Sequence, residues 1–166
     1  MAELNTETES KKKLDSNKIP DEKSCGVVLF REDSLGGNDK AERLYLLLHY
    51  PGGHIDFPKG HVEPGEENDE HVTAYRELTE ETGIKNVTFI DGFRHLVHYT
   101  YNKKGRPSFK EVVFFAGKTN EKDITISFEH RGYYWLPYAE ALQKLTFENA
   151  KNLLVEVEKF VSKKGL

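Results

Sequence analysis

GHVEPGEENDEHVTAYRELTEETGI, residues 60–84, decides how the rest of the chain is read. It sets Glu63, Glu66, Glu67, Glu77, Glu80 and Glu81 around one short segment. Pro64-Gly65 marks a loop, and the polar run after it predicts a helix from about Asp69 to Thr82. Asp69 is placed to cap its start and Gly83 to end it. Val72, Leu78 and Tyr75 give this helix its expected apolar side. Glu77, Glu80 and Glu81 stand at i, i+3 and i+4, which puts their carboxylates on one face. Like charges so placed cost a few tenths of a kcal/mol per pair. A hard cation such as Mg²⁺ removes that cost, since it takes carboxylate, water and phosphate oxygens.

The segment resembles the Nudix signature, G-x5-E-x7-R-E-U-x-E-E-x-G-U with U apolar. Gly60, Glu66, Arg76, Glu77, Leu78, Glu80, Glu81, Gly83 and Ile84 fill its positions in order. The spacing departs once. Glu67 to Tyr75 separate Glu66 from Arg76, two residues more than the pattern allows. Seven fixed Gly, Glu and Arg positions match by chance with probability on the order of 10⁻⁸ at average residue frequencies. An acidic, solvated helix is the bland rival.

The 166 residues suffice for one domain with a sizeable core. The net charge of -4 gives no broad basic character of the kind that binds duplex nucleic acid. A protein of this charge needs a cation to meet a polyphosphate. Cys25 is the one cysteine, which excludes an internal disulfide and suits a cytoplasmic location. It opens the apolar run CGVVLF and reads as a buried structural thiol. No apolar stretch reaches transmembrane length, so no membrane role is expected. Residues 1–23, with Lys11–Lys13, read as a flexible tail, and 24–166 as the single domain.

Cys25–Arg31 and Arg43–Tyr50 read as strands joined by a Gly36-Gly37 loop. His54–Lys59 reads as a short extended piece, because Pro58 biases Phe57 away from helix. Val87–Tyr101 and Phe109–Lys118 predict two long strands around an NKKGRP turn. Ile124–Phe128 and Tyr133–Leu136 are short strand candidates, and Pro137 opens a helix over Ala139–Leu145. Leu153, Leu154, Val157, Phe160 and Val161 form a helical stripe within Phe147–Ser162. The pattern alone gives a mixed α/β or α+β domain. The Nudix resemblance sharpens this to an α/β/α sandwich around a mixed sheet.

The resemblance also implies roles. Glu77 and Glu81 would ligate Mg²⁺ or Mn²⁺ directly, Glu80 would ligate too or act through water, and the Lys59 backbone carbonyl would be a further ligand. Arg76 would pair with Glu66 to lock the loop onto the helix. Glu129, from FEHRGYYW, would add a ligand or take the proton from the attacking water. The runs FPKGHVEPGE, HYTYNKKGRPSFKEVVFF, FEHRGYYWLPYAEA and LTFENAK are similar to the asymmetrical diadenosine tetraphosphate hydrolases. That likeness implies His54 and His61 near the polyphosphate and Lys59 and Lys110 as point charges for phosphate. It implies Tyr99 and Phe147 as the pair that stacks a purine. Each also has an ordinary reading as a loop, strand or core residue.

The expected activity is therefore metal-dependent hydrolysis of a dinucleoside polyphosphate, diadenosine tetraphosphate giving ATP and AMP. The expected partner is that small nucleotide. An RNA 5'-pyrophosphohydrolase is the alternative, because YRELTEE is similar to that branch too. Only the hairpin turn, with Lys103, Lys104 and Arg106, offers RNA a basic patch. Inositol polyphosphates would want a more basic pocket, and nucleotide sugars or a non-catalytic nucleotide-binding Nudix module are further readings. The sequence leaves open the choice of Mg²⁺ or Mn²⁺, the base preference and the oligomeric state.

Overall fold

A computed structural model describes residues 18–34 and 40–166. The Lys11–Lys13 cluster and the Gly36-Gly37 loop lie outside them. Glu22–Ser34 forms β1, Ala41–His49 β2, Ile55–Asp56 β3 and Lys59–His61 β4. Helix α1 spans Glu70–Thr82, followed by β5 (Thr88–Phe89), β6 (His95–Lys103) and β7 (Arg106–Lys118). Strand β8 (Gly132–Pro137), α2 (Tyr138–Lys144) and α3 (Glu148–Lys163) close the chain. Glu22 and Lys23, expected in the tail, already belong to β1.

The sheet is mixed, as expected. β1 runs parallel to β7 and antiparallel to β2 and β4. β6 and β7 make the long hairpin, with Asn102 opposite Pro107 and Lys103 opposite Arg106. The central strands are apolar on both faces because both are covered. Cys25, Val27 and Leu29 of β1 pack with Ala74 and Leu78 of α1. Val28 and Phe30 point the other way, to Leu153, Leu154, Val157 and Val161 of α3. This is the α/β/α sandwich. Each of those four α3 side chains is fully buried and contributes roughly 1.5–3 kcal/mol.

Three expectations change. Leu78 is buried as expected, but Val72 and Tyr75 are 47% and 38% exposed, and α1 buries Thr73, Ala74, Glu81 and Thr82 beside Leu78. Small side chains let the helix sit close to β1, which apolar counting does not reveal. Val87–Tyr101 is two strands, broken at Asp91-Gly92, where Gly92 has φ 88°. Ile124–Phe128 joins no ladder. Its Thr125 and Ser127 N–H groups donate to the Thr82 and Glu81 carbonyls of α1, at 2.9 and 3.2 Å. Phe128 is 97% exposed.

Helix α1 is fixed at both ends. The Asp69 side chain accepts from Val72 N–H at 3.3 Å, and Gly83 closes the helix at φ 75°, a conformation other residues adopt at a cost. In its first turn Glu70 meets Lys23 of β1 at 2.9 Å and Arg94 at 2.8 Å. Arg94 and Lys23 pull the Glu70 carboxyl down from 4.5 to about 2. Below pH 4.5 the unfolded chain takes up this proton before the folded one does. The stability that Glu70 supplies is therefore full above pH 4.5 and is lost as pH falls toward about 2. Glu70→Gln should lower unfolding free energy at pH 7 by about 1 kcal/mol, its partners being partly exposed. Urea titrations at pH 7 and pH 3 check this, and the difference from the parent should shrink at pH 3.

Candidate active site

Arg76 is the centre of the signature loop. Its Nε donates to both Glu66 oxygens, at 3.1 and 3.0 Å, and its Nη2 donates to Glu66 at 2.9 Å. Nη2 also donates to the His61 carbonyl at 2.8 Å, and Nη1 to Glu77 at 2.8 Å and Glu80 at 3.1 Å. The two extra residues between Glu66 and Arg76 therefore leave this pair in contact. They are absorbed before the helix, in turns where Glu66 N–H donates to Glu63 and Asp69 N–H to Glu66, both at 3.0 Å. Arg76 holds the Glu66 carboxyl below its usual range.

Gly60 and Glu77 are in closer contact than any side chain would allow. A Cβ on Gly60 would lie 1.9 Å from the Glu77 carboxyl carbon, so any side chain there would displace that carboxylate. Glu81, one turn on, is 8% exposed and accepts from Lys59 N–H at 3.2 Å. Burial, then the neighbouring Glu77 charge, push its carboxyl up to about 9. Burial also raises Glu77, against the pull of Arg76.

The three glutamates lie at different depths on their face of α1, with Glu77 and Glu80 both accepting from Arg76 Nη1. Glu77 and Glu81 turn inward. Glu80 points out, its side chain 59% exposed, drawn to Arg76 one turn earlier. Glu129 is exposed in the loop before β8, near enough for its charge to bear on Glu81. Among the described residues no three His, Cys, Asp or Glu side chains form a ready cage for an ion. The donor set still fits a hard divalent cation. Two carboxylates on successive turns are desolvated together, and the Lys59 N–H and Arg76 offset only part of their mutual repulsion.

Three of the six expected substrate residues line a cleft between the sheet and α3. Lys59, Tyr99 and Phe147 line it, together with Asp56, Phe114 and Asn149. The Lys59 and Lys110 ammonium groups lie 5.7 and 5.9 Å from the Tyr99 ring centre. Lys59 also pairs with buried Asp56 at 3.1 Å, a partner not foreseen in the sequence. The His54 ring sits 5.5 Å from Phe147 and stacks on Tyr50 at 4.8 Å. Burial, opposed by Asp56, holds the His54 pKa down. His61 does not line the cleft; its side chain is 63% exposed and 4.0 Å from Glu22.

Sequence reasoning passed over Tyr50, Asp56 and His130. Tyr50 lies between His54 and His130, and its hydroxyl donates to the Phe57 carbonyl at 2.9 Å. His130 is buried 4.0 Å from Glu81. Its place next to Glu129 was the one available signal.

Comparison with known proteins gives the chain a family. The family model described as NUDIX domain matches residues 22–156. The asymmetrical bis(5'-nucleosyl)-tetraphosphatase of Rattus norvegicus is 37% identical over 145 residues, covering 84% of this chain and 95% of that protein. A crystal structure of a C. elegans Ap4A hydrolase binary complex superposes with a TM-score of 0.71 at 30% identity. It covers 86% of this chain and 98% of that one. An RNA pyrophosphohydrolase of Sulfurovum sp. is 29% identical over 123 residues, 66% of this chain and 74% of that protein.

The Arg76 cluster yields a direct test. Arg76→Ala leaves Glu66 and Glu77, both largely buried, without their cation. The loss should be about 2 kcal/mol, between the scales for exposed and buried pairs. Urea unfolding of the variant measures it. A change under about 0.5 kcal/mol would show that the pair contributes nothing.

Proposed function

The chain belongs to the Nudix family of hydrolases, and on that footing we propose that it splits dinucleoside polyphosphates asymmetrically, diadenosine tetraphosphate to ATP and AMP, with a divalent cation. The observation that carries this reading is the buried Glu77–Glu81 pair held against Lys59-Gly60, next to a cleft lined by Tyr99 and Phe147. The likeness to asymmetrical tetraphosphatases over most of both chains selects the substrate class.

Glu77 and Glu81 would hold Mg²⁺ or Mn²⁺, with the Lys59 carbonyl alongside and Glu80 and Glu129 within reach from the exposed side. When bound, the cation neutralises phosphate oxygens and acidifies water. Lys59 and Lys110 meet phosphate charge, and His54 and His61 donate hydrogen bonds to it. Tyr99 and Phe147 stack one adenine, leaving the second nucleoside at the open rim. Glu129 accepts the proton of the attacking water. The water oxygen bonds to a terminal phosphorus, the bridging P–O bond breaks, and ATP leaves with that oxygen. The Arg76 clamp keeps Glu77 in place throughout.

Incubation with diadenosine tetraphosphate and Mg²⁺, followed by ion-exchange separation, tests the reading. Equal ATP and AMP are expected. Two ADP would contradict the cleavage position. Inactivity here, with release of pyrophosphate from RNA 5'-triphosphate, would favour the RNA-directed relative. Glu81→Gln should lower kcat by about 10³-fold or more, the scale for losing electrostatic stabilisation of the transition state. Unchanged turnover would remove Glu81 from the machinery.

A further inference from the structure

His130 is a polar group with no role so far. Its side chain is 1% exposed. The Tyr50 ring meets it edge-on at 4.7 Å, and Ser127 Oγ lies 2.8 Å from its Nδ1. Its Nε2 is buried with no hydrogen-bond partner, and Glu81 Oε1 lies 4.0 Å from that nitrogen. Buried nitrogens without partners are rare, because they lose water and gain nothing. One facing a candidate ligand carboxylate points to a contact made in another state of the site.

We propose that His130 is a positioning residue for Glu81, its Nε2–H holding the carboxylate oxygen that faces away from a bound divalent cation. This rests on the function proposed above. The 2.8 Å contact of Ser127 Oγ with Nδ1 suits the tautomer this role requires, in which the hydroxyl donates to Nδ1 and the ring hydrogen sits on Nε2. About 1 Å of movement brings Nε2 and Oε1 within hydrogen-bond range.

The loop is built to hold this geometry. Ser127 N–H donates to the Glu81 carbonyl at 3.2 Å, so the residue that orients the imidazole is bonded to the backbone of the residue it serves. His130 N–H donates to Ser127 at 3.0 Å, and Arg131 N–H to His49 of β2 at 2.8 Å. Lys59 N–H holds the other Glu81 carboxylate oxygen, Oε2, at 3.2 Å. Donors that orient a ligand carboxylate in this way fix the angle at which it meets the cation. They also determine which of its lone pairs remain free for it. The same loop carries Glu129 on its exposed side, so one segment would place two acidic groups.

Two substitutions separate this role from a packing role. His130→Phe fills the space without a donor. His130→Gln carries an amide N–H that reaches about as far as the imidazole Nε2. Mn²⁺ affinity of the substrate-free chain, read by EPR of free Mn²⁺, is measured beside thermal midpoint and kcat and KM on diadenosine tetraphosphate. The phenylalanine variant should bind Mn²⁺ about 10- to 100-fold more weakly and lose kcat rather than KM. The glutamine variant should recover most of both. Parent-like Mn²⁺ affinity in the phenylalanine variant overturns the proposal, and so does a glutamine variant no better than it. If His130→Phe does not fold, Ser127→Ala decides. It frees the ring to rotate and should weaken Mn²⁺ severalfold, and unchanged affinity overturns the proposal. A parent chain that neither binds Mn²⁺ nor cleaves the substrate would instead sink the underlying function.

Discussion

The Arg76 guanidinium is the fixed point of this site. It fills its donors with Glu66, Glu77, Glu80 and the His61 carbonyl, and so ties loop, helix and strand β4 to one planar group. A lysine could not do this, since its ammonium is a single point charge without a fork. Everything inward of Arg76 depends on that tie. Glu77 is held against the bare Cα of Gly60, and Glu81 follows one turn later on the buried side.

The cost of the arrangement falls on the carboxylates. Glu77 and Glu81 are taken out of water together, and Glu81 is driven toward its protonated form. Folding alone gains little from that, because apolar residues would pack as well without the desolvation. Charge strain placed at one point, beside a cleft with lysines and aromatic rings, is the arrangement expected of a site that awaits a cation and a polyanion. The opposite face of the sheet, where α3 buries four aliphatic side chains, supplies stability with no such conflict.

The sandwich and most strands were legible because their apolar runs are long and their turns carry Gly and Pro. The signature residues were legible because each does a job that few residue types can do. Arg76 found Glu66 across two additional residues because turns between Glu63 and Asp69 absorb length at little cost. What was not legible depended on distant partners. The inner face of α1 follows Ala74 and Thr73, whose small size matters only against β1. Residues 124–128 look like a strand but give their N–H groups to the carbonyls at the end of α1. His130 is buried by Tyr50 and Ser127, a relation no spacing encodes. Asp56 beside Lys59 was hidden in an otherwise apolar run.

The central claim is that Glu77, Glu81 and the Lys59 carbonyl together form the cation site. Anomalous diffraction from crystals soaked in Mn²⁺ tests it most directly. The account predicts a peak about 2.2 Å from an oxygen of each of the two glutamates and from the Lys59 carbonyl. A peak coordinated only by the exposed carboxylates Glu80 and Glu129, or none near α1, would contradict it.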